Sequence, residues 1–200
     1  MLMTSILPIT LTGKFVQLEP LSQEHHDGLV AAVADGEMWN IWYTSIPTPQ
    51  GMAAEIDRRL ALQEQGAMLP FTARRLSDGK IIGMTTYMNI DVSVPRVEIG
   101  STWNSASVHG TGTGNNPDSK LLLLQHAFET LQCNSVEFRT SWHNHQSRAA
   151  IARLGAKQDG VLRNQSKVNG MLRDTVVFSI LPNEWESVKL GLEYRITKQR

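Results

Sequence analysis

The stretch HGTGTGNNPDSK, from His109 to Lys120, limits the folds open to this chain more than any other. Gly110, Gly112 and Gly114 alternate with Thr111 and Thr113, so every second residue lacks a Cβ and the backbone N–H groups can turn inward on an anion. Asn116 and Pro117 then read as the N-cap and first position of a helix, whose apolar residues are Leu121 to Leu124, Ala127, Phe128 and Leu131. The unpaired N–H groups and positive dipole end of that helix would face the same anion. Neither familiar phosphate motif fits. A G-x-G-x-x-G pattern needs glycine where Asn115 or Pro117 stands, and a Walker A loop needs glycine where Ser119 precedes Lys120. A Gly-rich turn between a strand and a helix is the alternative reading, and Lys120 reads as a first-turn surface residue.

The flanks supply strands and helices in a definite order. Residues 14 to 19 alternate apolar and polar as a strand, and Ser22 can cap a helix carrying Leu29, Val30 and Val33. Trp39, Trp42 and Tyr43 follow in a short segment that suits either core or pocket wall. Thr48 and Pro49 open a second helix with Met52, Ile56 and Leu60 on one face. Asp78-Gly79 joins two strand-like runs into a hairpin, and Arg96 to Trp103 forms another strand before the glycine loop. Beyond the loop's helix lie a strand from Ser135 to Trp142 and a helix from Asn144 to Leu154 that ends at Gly155. A closing hairpin turns at Asn169-Gly170, a short helix opens at Asn183 and Trp185, and a polar tail runs from Glu193 to Arg200.

Nineteen basic residues balance nineteen acidic ones, so no overall field would attract nucleic acid or an anionic membrane, and any phosphate site must be local. The start MLMTSILPITLTGK lacks a basic region and a cleavage site, and no apolar run reaches membrane-spanning length. Cys133 is the one cysteine, which fits a cytoplasmic protein and reads as a small buried hydrophobe at a helix-to-strand junction. No histidine or cysteine spacing suggests a metal site.

This order is similar to that of the GCN5-related N-acetyltransferases, and to their ribosomal-protein N-terminal acetyltransferase branch in particular. The resemblance implies one α/β (α+β) domain over residues 1 to 200, with its core at about 10 to 190. Its mixed, mostly antiparallel sheet would have about seven strands flanked by four to five helices. In that family the loop reads Gln or Arg, Gly, x, Gly, x, Gly or Ala, and its amides bind the diphosphate of acetyl-CoA. His109, Gly110, Thr111, Gly112, Thr113 and Gly114 match it here. His109 stands where Gln or Arg is usual, and Asn115 to Pro117 are expected to lengthen the loop. The family's Asn-x-x-Ser helix start is matched by Asn144 and Ser147, followed by Arg148.

The resemblance further implies a pantetheine arm between splayed ends of the strands near 96 to 103 and 135 to 142. Backbone N–H groups around Ile99, Gly100 and Ser101 would polarise the thioester carbonyl. Glu98 resembles the base many members use; its other reading is a strand glutamate that faces solvent or pairs with a neighbouring arginine such as Arg96 or Arg139, and Glu137 and His143 are further candidates. Ser147 would serve the coenzyme sulfur, or else Asn144 and Ser147 only cap a helix. Arg148 and Arg153 could reach coenzyme phosphates. Trp39, Trp42, Tyr43 and Trp142 suggest an aromatic acceptor pocket. The implied function is acetyl transfer from acetyl-CoA to a primary amine, a protein N-terminus or a small amine. The alternative is a non-catalytic acyl-CoA sensor or partner-binding protein on the same fold. Edge strands of the closing hairpin could pair two chains into a homodimer.

Overall fold

Hairpin chemistry sets the first half of the sheet. Gly79 takes the left-handed conformation at φ 72° between β3 (Met68–Arg75) and β4 (Ile81–Asp91). Asp91 closes the next turn by accepting hydrogen bonds from Ser93 N and Val94 N, and β5 (Arg96–Asn104) returns antiparallel to β4. Asn169 and Gly170 both have positive φ, as a tight two-residue hairpin requires, and join β7 (Lys157–Val168) to β8 (Met171–Ile180). With β1 (Leu11–Thr12), β2 (Val16–Pro20) and β6 (Ser135–Ser141), the strands form one eight-stranded sheet in the order β1-β2-β3-β4-β5-β6-β8-β7. Among the described residues the β5/β6 pairing alone is parallel. This computed structural model describes residues 6 to 108 and 114 to 198.

Among the described residues five α-helices cover the sheet: α1 (His26–Ala34), α2 (Met52–Glu64), α3 (Asn115–Gln125), α4 (His145–Leu154) and α5 (Pro182–Lys198). Leu29, Val33, Met52 and Ile56 of α1 and α2 pack on Met84 and Trp103. Leu123, Leu124, Ile151, Leu154, Val188 and Leu192 of α3, α4 and α5 pack on Tyr87, Val97, Ile99 and Val136 across the other face. Cys133 is buried there, and desolvation pushes its thiol up to about 11.

Three expectations change. The polar tail is helical as far as Lys198, continuing α5, because Val188, Leu192 and Ile196 recur every four residues and all are buried; residues 199 and 200 lie outside the described residues. Gly114, at φ 80°, is the N-cap of α3, so Asn115 to Pro117 form its first turn rather than an extension of the loop. Lys120 is not on the surface but 7% exposed, facing the sheet. The start of α3 is fixed by Asp118, whose carboxylate accepts from Phe15 N at 2.7 Å and Val16 N at 3.0 Å and so ties the helix to β2.

Candidate active site

β5 and β6 pair only over Arg96–Glu98 and Ser135–Glu137, then part. Beyond that point β5 is held by β4 and β6 by β8, and the two edges that face each other have no ladder partner. An extended ligand carrying amides can bond to such edges as an added strand would. Within the parted stretch β5 carries a bulge. Met84 opposes Trp103 and Thr86 opposes Gly100, so two residues, Ser101 and Thr102, face one. Ser101 takes the left-handed conformation at φ 47°. The buried Arg59 of α2 holds the bulge by donating to Ser101 O and to Thr86 Oγ1 at 2.6 Å, while Glu55 Oε1 neutralises it at 2.7 Å.

The bulge also exchanges faces. Ile99 lies in the α3 core, whereas Glu98 and Gly100 share the α2 side with Met88: a Cβ on Gly100 would come 2.8 Å from both Glu98 Oε1 and Met88 Sδ. Past the bulge, Trp103 enters the α2 core and Thr102 faces α3. There Thr102 Oγ1 accepts from Lys120 Nζ at 3.1 Å and bonds Thr85 Oγ1 at 2.8 Å. Burial lowers the Lys120 ammonium from 10.5 to about 8.

Glu98 sits where the two strands part and is 5% exposed, so the solvent-facing reading of this residue does not hold. Asn89 Nδ2 donates to Oε2 at 2.6 Å, and of the two arginines expected as partners Arg139 forms an ion pair with it at 3.5 Å. Arg96 turns instead to Asp91 and Glu137. Desolvation dominates over these partners and raises the carboxyl above the ordinary glutamate value. Glu137 is held by Arg139 at 2.9 Å.

His109, Gly110, Thr111, Gly112 and Thr113 lie outside the described residues, while Gly114 and the start of α3 stand at the loop's far end. At the N-terminus of α4, Asn144 Oδ1 accepts from Ser147 N at 2.9 Å, so Asn144 is a helix cap. Asn144→Ala is expected to cost about 1 kcal/mol of stability in urea denaturation, with Asn144→Asp restoring most of it. Arg148 stacks over the Trp142 ring at 4.2 Å and donates to Trp142 O, while Arg153 is exposed in the last turn.

The four expected pocket aromatics separate. Trp39 packs against the α1/α2 core, and Trp142 pairs with Arg148. Trp42 and Tyr43 contact each other edge to face and line a cavity with Ser141, His143 and Arg173; the His143 ring is 5.0 Å from Trp42. Arg173, Arg59, Asn89 and Lys120 had no signal in the sequence as site residues, since each becomes notable only through cross-strand or helix-on-sheet contacts. Among the described residues no group of three or more His, Cys, Asp or Glu could hold a metal ion, and no helix is long and apolar enough to cross a membrane.

The sheet thus parts beside a bulge, with a buried carboxylate at the fork and the start of α3 across from it. Residues 16–157 match the acetyltransferase (GNAT) domain, and the chain belongs to that family. It is 36% identical over 114 residues to "Putative ribosomal N-acetyltransferase YdaF" of Bacillus subtilis, covering 57% of this chain and 61% of that protein. The chain thus spans about three fifths of the length of the curated relatives it matches. A GCN5-related N-acetyltransferase structure from Brucella melitensis superposes with a TM-score of 0.84 at 26% identity, over 96% of this chain and 87% of that one. Mycobacterium smegmatis RimJ in complex with CoA-disulfide shares the fold, with a TM-score of 0.77 at 20% identity over 95% and 94% of the two chains.

Proposed function

We propose that the protein is an N-acetyltransferase that acetylates a primary amine, and that the amine is a peptide N-terminus. The observation that carries this is Glu98, a desolvated carboxylate with a raised pKa at the fork of two parted strands. The name of the Bacillus subtilis relative supports placement near the ribosomal N-acetyltransferases.

Acetyl-CoA, when bound, supplies the acetyl group as an activated thioester. The chain's own residues have three tasks. The edges of β5 beyond Glu98 and of β6 beyond Glu137 offer hydrogen bonds to the amides of an extended arm, and the bulge at Ser101 turns backbone N–H groups out of the ladder toward a carbonyl oxygen. The start of α3, with the glycine loop before it, favours the diphosphate. Glu98 takes the proton that an ammonium must lose before it can attack, and its burial matches its basicity to that step. Ser147, in the first turn of α4, is the hydroxyl we assign to the sulfur. The alternative of a non-catalytic sensor leaned on an altered loop and an uncertain base; α3 beginning at Asn115 speaks against the lengthening, and the burial of Glu98 supports it as the base.

Calorimetric titration with acetyl-CoA tests the coenzyme site. The parent is expected to bind and Gly112→Val to lose binding with its circular dichroism unchanged, because a side chain there would block close backbone approach. No heat of binding in the parent would refute the reading. Acetylation of a peptide panel, read by mass spectrometry, then tests the acceptor.

A further inference from the structure

β8 runs on past the end of β6, one of its two neighbours. Its pairing with β6 ends at Thr175, opposite Ser141, and from Arg173 back to Met171 it pairs only with β7. Arg173 is therefore not covered by β6 and lines the cavity beneath Trp42, Tyr43 and His143, with Met171 and Leu172 beside it. Its Nε is buried and has no hydrogen-bond partner. The carboxylates around it are committed elsewhere. Asp174 is bound by Arg163 and by Asn164 N, Glu137 by Arg139, and Glu98 by Asn89 and Arg139. Arg173 forms no ion pair among the described residues, yet it is partly withdrawn from water and lies within the field of Glu98.

A guanidinium is a planar fork that binds a carboxylate through two parallel hydrogen bonds, and leaving a buried donor without a partner is costly. Here a guanidinium with an unpaired Nε shares one cavity with aromatic walls, and the charge of the proposed base acts on it. We propose that Arg173 makes the acceptor site selective for an amine that also carries a carboxylate, such as a peptide N-terminus with acidic side chains in its first residues. The inference rests on the acetyltransferase reading and adds its substrate class. The amine faces Glu98 and the carboxylate faces Arg173, so one acceptor spans both groups. A free amino acid offers the same pair of charges without the peptide.

Two hexapeptides that differ only in Glu or Gln at their second and third positions, together with free glutamate, test this. The parent is expected to favour the acidic peptide by about 10- to 100-fold in kcat/KM. In Arg173→Met that ratio should fall to near one, through a raised KM for the acidic peptide, while acetyl-CoA binding stays in place and the acid limb moves to higher pH for both peptides alike, because the arginine's charge lowers the Glu98 carboxyl. Arg173→Lys, which keeps charge but not the fork, should fall between. Turnover of free glutamate with neither peptide used would assign the carboxylate to a small amino acid. Equal use of both peptides by the parent would overturn the proposal, as it would if the cavity arginine is served by a water alone. Loss of kcat for both peptides with KM unchanged would also overturn it, assigning Arg173 to positioning Glu98. Peptide titration into the CoA-loaded protein separates the two readings. An acidic preference in binding without turnover upholds Arg173 and refutes acetyl transfer, and no preference in either measurement refutes the inference.

Discussion

Glu98→Gln is expected to lower kcat by about 100- to 1000-fold, the usual contribution of a positioned general base, and to leave the acetyl-CoA dissociation constant within about twofold of the parent. Glutamine fills the same volume, and its carbonyl can still accept from Asn89 Nδ2, so the fork keeps its shape. What disappears is the capacity to take a proton. The sign of the pH effect follows from the raised carboxyl. A base works only when deprotonated, so activity should fall on acidification at a pH above the ordinary glutamate value of 4.5. That limb should vanish from the residual activity of the variant. Steady-state rates from pH 5 to 9, with calorimetry at one pH, are the measurements. Full activity in Glu98→Gln would move the base to another group, with His143 in the adjoining cavity the next to test.

Lys120→Met is expected to stabilise the folded state at neutral pH by about 1–3 kcal/mol, because a buried charge that meets one neutral hydroxyl among the described residues is replaced by an apolar chain of similar length. The interval between the ordinary lysine value of 10.5 and the folded value of about 8 corresponds to about 3 kcal/mol. The sign runs as linkage requires. Between pH 8 and 10.5 the unfolded chain holds a proton that the folded chain has released, so this group's contribution to stability rises with pH there and its full penalty is present below 8. Cys133, raised to about 11, acts oppositely above pH 9, so the difference between parent and variant isolates Lys120. That gap should narrow toward pH 10.5. Urea denaturation at pH 7, 9 and 10 measures it; a variant no more stable than the parent at pH 7 would show that the ammonium is better solvated than its burial implies.

Local chemistry accounts for most of what could be read ahead of the structure. Asp78-Gly79 and Asn169-Gly170 place turns through backbone requirements that few other residue pairs meet, and the Asn144 and Gly155 caps bound α4 in the same way. The far half of α5 was equally legible, since Val188, Leu192 and Ile196 keep helical spacing, but its polar residues obscured the pattern. The environment of Lys120 was not legible. It depends on the conformation of Gly114, which starts α3 early, and on a bulge whose existence shows only when β4 and β5 are set side by side. Arg173 escaped for a similar reason: a strand residue's partner set depends on where the neighbouring strand stops, and the end of the β6 ladder at Ser141 has no signature in β8.

The extra residue at Ser101 makes β5 a two-sided part. On one side of the bulge even-numbered residues face the proposed chemistry, and beyond it the same parity looks into the opposite core. A deletion of Ser101 would thus act in space as a frameshift acts in a message. Either Glu98 and Gly100 would leave the cleft, or Trp103 and Thr102 would exchange layers, placing a hydroxyl among the α1/α2 side chains and an indole against Lys120. Single substitutions along β5 can be compensated by a neighbour. Its residue count cannot, which makes length rather than composition the property of this strand least free to drift.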